Sequence, residues 1–162
     1  MSTTGLDVFD KTLQLTNTWL DEIMAELGPD RQVAWHALNA VLRTLRDRLP
    51  IDTSVHLASQ LPLLLRGSYY EQWQPARQTN EARSLDEFLQ QVGAKLQNIR
   101  PVNARDATQV VFHVLSRHVD RGQLEKVRAS LTDDVRQLWP ESALNEAPSR
   151  GPGGGISARG AA

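Results

Sequence analysis

The chain has 162 residues and a mass of 18.1 kDa, the size of one ordinary domain or two small ones, which excludes a large multidomain enzyme. Charged residues make up 23% and hydrophobic residues 40%, a globular mixture. Eighteen Lys plus Arg against nineteen Asp plus Glu give a formal net charge of -1, without the positive field that accompanies nonspecific nucleic-acid binding.

Residues 1–80 hold seven basic and nine acidic side chains and residues 81–162 hold eleven and ten, so no charged tail stands out. Cysteine is absent, which removes disulfides, thiolate metal sites and cysteine nucleophiles and fits a reducing compartment. The opening MSTTGLDVFDKTLQ has no basic stretch followed by an apolar run, and no segment approaches about 18 uninterrupted apolar residues. The expectation is a cytoplasmic protein with no membrane partner.

Leu (22) outnumbers Val plus Ile (12 and 4), a balance that favours helices because straight-chain side chains lose little rotamer freedom there. Leu6, Phe9, Leu13, Leu20, Ile23, Met24 and Leu27 recur at helical spacing, and Gly28-Pro29 supplies a stop. A second helix is expected from Asp30 to Leu49, with Val33, Ala34, Ala37, Leu38, Val41, Leu42 and Leu45 inward and Arg43, Arg46 and Asp47 outward, closed by Pro50. Asp52 is the expected cap of a short third helix, and Pro62 sits in the first turn of a fourth. After Trp73 the pattern lapses, and residues 74–82 read as a linker.

The pattern then restarts. Ser84-Leu85-Asp86-Glu87 matches a capping box, and Leu85, Phe88, Leu89, Val92, Leu96 and Ile99 continue one helical face. Asn103 can cap the next helix, with Ala107, Val110, Val111, Val114 and Leu115 inward, and two short pieces follow over Leu124–Leu131 and Asp133–Trp139 before Pro140. Residues 141–162 carry only Leu144 and Ile156 as sizeable apolar residues and read as a disordered tail.

Laid over each other at an offset of 70, residues 37–69 and 107–139 align without a gap and share five of 33 identities, and the apolar positions stay in register. The first helices match as Leu6-Asp7-x-Phe9 and Leu85-Asp86-x-Phe88. The fold expected is all-α: a helical bundle of two tandem four-helix repeats, residues 4–73 and 83–140.

The duplication offers an internal control, since residues needed only for the fold of one unit should be apolar in both. Val8, Leu15 and Trp19 form a second stripe on the first helix whose counterparts are Glu87, Ala94 and Asn98, and Leu63 and Leu64 align with Asp133 and Asp134. This surplus should be covered, by the second unit or by a second subunit. Next to it, Arg66, Tyr69, Tyr70 and Trp73 group the residue types that dominate binding hot spots. Together with Leu15, Trp19, Leu63 and Leu64 they form the candidate interaction surface. The same aromatics could instead seal a helix end.

The stretch HLASQLPLLLRGSYYEQW (His56 to Trp73), with AVLRTLRDRLP before it and the opening TGLDVFDKTLQLTNTWLDEI, resembles the bacterial family known as domain of unknown function 2267, over roughly Thr4 to Pro140. Its QLP and RG-x-YY-x-x-W elements carry the resemblance. It implies a small all-helical protein of duplicated units, with no activity, cofactor or catalytic residue to carry over. Members often have Gly where Gln72 stands.

Chemistry is sparse. His36, His56, His113 and His118 sit in no HExxH or convergent ligand pattern, so no metal and no cofactor are expected. Glu22 and Glu26 read as a solvated helix flank, and Ser116 beside two histidines lacks an elbow and an orienting acid. The glycines of the tail end in Gly160-Ala161-Ala162, without the Lys-Ser/Thr of a phosphate loop. The reading is a non-enzymatic protein-interaction or scaffold module that binds a protein partner or a second copy of itself. The alternative is nucleic-acid binding through Arg117, Arg121, Lys126 and Arg128, diluted by Asp120 and Glu125.

Overall fold

The computed structural model describes residues 3–78 and 84–139. These form α1 (Asp7–Leu27), α2 (Arg31–Arg48), α3 (Ile51–Ser59), α4 (Leu63–Tyr70), a 3-10 turn at Pro75–Arg77, α5 (Leu85–Lys95), α6 (Ala104–His118), α7 (Arg121–Ala129) and α8 (Asp133–Arg136). The fold is all-helical, with no strand among the described residues. The tail assigned to residues 141–162 lies outside them, as does part of the linker at 79–83.

Local signals place most boundaries. Gly28 ends α1 at φ 121°, a conformation closed to most side chains, and its N–H bonds the Met24 carbonyl. Asp30 caps α2 by accepting from Gln32 and Val33, Ser84 caps α5 by accepting from Glu87, and Asn103 caps α6 by accepting from Arg105 and Asp106. Two cap assignments differ. Pro50 and Pro62 occupy the cap positions of α3 and α4, and Asp52 lies in the first turn of α3, where its charge meets the helix dipole. α5 stops at Lys95 instead of running to Ile99: its last turn tightens to an i to i+3 bond at Leu96, and another such bond follows at Ile99 before Pro101.

α2 and α6 form the centre. α1 packs on α2 and α6, α5 packs on α6 and α2, α2 crosses α6, and α3 meets α7. Leu38, Val41, Leu42 and Leu45 of α2 and Val111, Phe112 and Leu115 of α6 are fully buried, each adding roughly 1.5–3 kcal/mol of transfer free energy. Trp139 closes one end by stacking on Phe112 with centroids 4.2 Å apart.

Arg46, expected to face solvent, is buried. Its Nη1 donates to the carbonyls of Tyr69 (2.7 Å) and Glu71 (2.9 Å), while Arg43 donates to the Ser68 carbonyl from Nε and Nη2 (3.1 and 3.0 Å). Two guanidinium groups from α2 thus satisfy carbonyls at the end of α4, whose last turn has no basic residue of its own, and complement its dipole. The start of the expected linker is anchored as well. Gln78 accepts from Trp73 Nε1 (3.0 Å) and donates to the carbonyls of Arg46 and Leu49.

Candidate functional site

The eight residues singled out in the sequence separate into two groups. Arg66 lies against the end of α3, donating to the carbonyls of Ala58, Ser59 and Leu61 at 2.9–3.2 Å. Tyr69 is in the core, its hydroxyl donating to the Ser54 carbonyl at 2.9 Å, and burial pushes its ionisation far above the ordinary tyrosine range. Tyr70 is half-buried between an edge contact with Tyr69 and a stack on half-buried Trp73. Trp19 is buried against α6, stacked on the His118 ring at 5.0 Å. These side chains cement the bundle.

The same seam holds two acid-base pairs that link α1 to α6. His118 Nε2 lies 2.6 Å from Glu22 and His113 Nδ1 lies 3.0 Å from Glu26. The carboxylates that read as a solvated flank are therefore half-covered bridges. Among the described residues no group of three or more His, Cys, Asp or Glu side chains converges as a metal site would require.

Leu15, Leu63 and Leu64 are exposed, and they have company. Leu6, Val8, Phe9 and Leu13 join them, and all seven are between 41% and 54% exposed. Leu6, Phe9 and Leu13, expected in the core, and Val8 and Leu15, expected under the second unit or a second subunit, are left uncovered by the rest of the chain at the start of α1. Burial on α1 begins at Thr16 and continues through Trp19, Leu20 and Ile23. The Leu64 N–H donates to Thr12 Oγ1 at 2.9 Å, which sets the start of α4 beside the first turns of α1 and makes one surface of the two. At the start of α8, Asp134 accepts from the Leu85 N–H at 2.8 Å. That bond and the Thr132 hydroxyl hold the Asp134 carboxyl below the ordinary range.

A model of uncharacterised conserved proteins, DUF2267, matches residues 16–138. The chain belongs to the DUF2267 family. No curated protein matches it. The DUF2267 match opens at Thr16, the first buried residue of α1, so five of the seven exposed apolar residues lie ahead of it and only Leu63 and Leu64 lie within. Gln72, where the family pattern often has Gly, sits at φ 61°. The turn before Trp73 forms in the left-handed region all the same.

Proposed function

We propose that the chain is a non-enzymatic protein-interaction module that binds a protein partner through the face made by the first turns of α1 and the start of α4. The observation that carries this reading is that Leu6, Val8, Phe9, Leu13, Leu15, Leu63 and Leu64 are all exposed, on two stripes at the start of α1 and on the start of α4 that Thr12 bonds to it. The largest apolar patch of a typical monomer, roughly 300–600 Å², is often functional, and seven half-exposed large side chains at one end of the chain supply the apolar surface for one. A partner's amphipathic helix or apolar edge laid along α1 suits such a face.

The scaffold, on this proposal, is two four-helix units related by an internal two-fold axis. In support, α3 and α7 match residue for residue at the offset of 70, and aligned core positions share burial: Ala37 with Ala107, Val41 with Val111, Leu45 with Leu115, Tyr69 with Trp139. Exchanging α1 with α5 and α2 with α6 turns the contact of α1 on α6 into that of α5 on α2 and leaves the α2 to α6 and α3 to α7 contacts unchanged. The binding face is where the units diverge: exposed Phe9 aligns with buried Phe88, and Leu63 and Leu64 align with Asp133 and Asp134.

The test is cross-linking in lysate of the full chain carrying a photoreactive residue at position 13, in wild type and in Phe9→Asp, Leu64→Asp. Adducts to a defined protein, insensitive to salt and lost in the variant, are expected; adducts to the same chain identify a second copy as the partner. Unchanged adducts in the variant refute the face. Adducts to nucleic acid that vanish as salt rises would favour the alternative reading.

A further inference from the structure

The end of α2, the chain after α4 and one face of α5 enclose a cavity of about 450 Å³. Of the ten described residues that line it, four are cations (Arg46, Arg48, Arg77 and Lys95), one is the carboxylate Asp47, four are glutamines, and one, Ala94, is apolar. That lining is unusual for a chain of net charge -1. Small-molecule sites commonly have this volume but are lined mainly by hydrophobic side chains; here the lining side chains end in charge or amide, and their methylene stems supply the apolar part of the wall.

The cations are differently committed. Arg46 is held by the carbonyls at the end of α4 and by Asp47, whose Oδ1 accepts from Nε at 2.9 Å. Arg48 donates from Nε to Gln91 at 3.2 Å and lies over the Phe88 ring. The Lys95 ammonium donates to a neutral hydroxyl, Thr44 Oγ1, at 3.2 Å, and Arg77 makes no ion pair among the described residues. Two fixed guanidinium groups therefore form the wall, and two further cations have charge to offer a ligand.

We infer that this cavity binds a small phosphorylated polar molecule of the sugar phosphate class, its phosphate held by Lys95 and Arg77 and its hydroxyls by Gln72 and Gln91. The phosphate follows from four cations against one carboxylate, Asp47, in a partly enclosed site, where charge-assisted bonds are strongest. The polyol follows from amides that both donate and accept. A nucleobase fits less well, because no aromatic ring among the described residues lines the cavity to stack on it. Burial lowers the Lys95 ionisation, and repulsion from Arg46, Arg48 and Arg43 adds to this against the attraction of Asp47. An anion beside Lys95 reverses that balance.

The experiment is calorimetric titration of the full chain with a hexose monophosphate, inorganic phosphate, a nucleoside monophosphate and sulfate, at matched ionic strength. A single saturable site is expected, tightest for the hexose monophosphate. Lys95→Gln and Arg77→Gln are each expected to weaken it about tenfold, the loss of one charge-assisted bond. The exposed Arg121→Gln should leave it unchanged. Above about pH 7, where the phosphate is fully ionised, affinity falls as pH rises and Lys95 loses its proton, and Lys95→Gln removes that slope. Arg77 is exposed, so its variant keeps the result independent of folding. No saturable binding, equal binding of sulfate (an adventitious ion only), tighter binding of the nucleotide, or full affinity in both variants would each overturn the inference.

Discussion

Gln72 holds a backbone conformation, φ 61°, that costs an ordinary side chain roughly 1–2 kcal/mol. Glycine relieves this but loses more freedom on folding, by roughly 0.5–1 kcal/mol. Gln72→Gly should therefore stabilise the protein by about 0.5–1 kcal/mol, read as a higher urea midpoint at unchanged slope. Tyr69 makes the opposite kind of prediction, in pH. Its folded ionisation is raised by burial, whereas in the unfolded chain it ionises near the ordinary value of about 10. Above that pH the unfolded state gives up a proton that the folded state keeps, so stability falls as pH rises beyond about 10. Tyr69→Phe should flatten this alkaline limb while costing about 1 kcal/mol near neutrality for the lost bond to Ser54. Denaturant midpoints across the alkaline range measure both effects.

Among the helices, α1 is the one whose two halves do different things. Its second half carries Trp19, buried on His118, and its first half carries Phe9, half exposed. Trp19→Ala should cost about 3–5 kcal/mol in urea unfolding, independent of protein concentration, because the ring packs within the chain. Phe9→Ala should cost under about 0.5 kcal/mol, and the contrast fails if the two losses are similar. The periodicity of α1 was legible, but it reports which side is apolar and is silent on whether anything covers it. That is why Leu6, Phe9 and Leu13 read as core. Helix starts at Asp30, Ser84 and Asn103 were legible because a cap is a contact within three residues. The burial of Arg46 was not: its partners, the carbonyls of Tyr69 and Glu71, lie 23 and 25 residues away and carry no side-chain signature. The cavity was equally hidden, since its cations come from residues 46, 48, 77 and 95 and no local pattern unites them.

At the scale of the whole molecule, α2 lies against both α1 and α5, so the core is shared across the middle of the chain. One cooperative unfolding transition is expected, with calorimetric and van't Hoff enthalpies equal. A fragment of residues 1–78 would leave the α2 and α6 contact open, and it should be largely unfolded alone and gain helix when residues 79–162 are added. Circular dichroism of the two fragments, apart and mixed, checks this. Two independent transitions in the intact chain would instead mean that each half is a domain.

The contacts of α2 with α6 and α3 with α7 join each element to its own counterpart on the duplicated reading. A single-unit ancestor bearing those surfaces would have paired with an identical chain through them, as in any isologous dimer. Fusion of the two genes would replace an encounter between separate molecules by a neighbour permanently held at about millimolar effective concentration. From then on each descendant of an ancestral position is inherited separately, and a change in one is no longer forced on its twin. On that reading the divergence of Leu63-Leu64 from Asp133-Asp134 would have that form: one copy would carry a carboxylate, Asp134, that ties down a helix start, and the other would be free to acquire a trait no symmetric dimer could carry on one side alone.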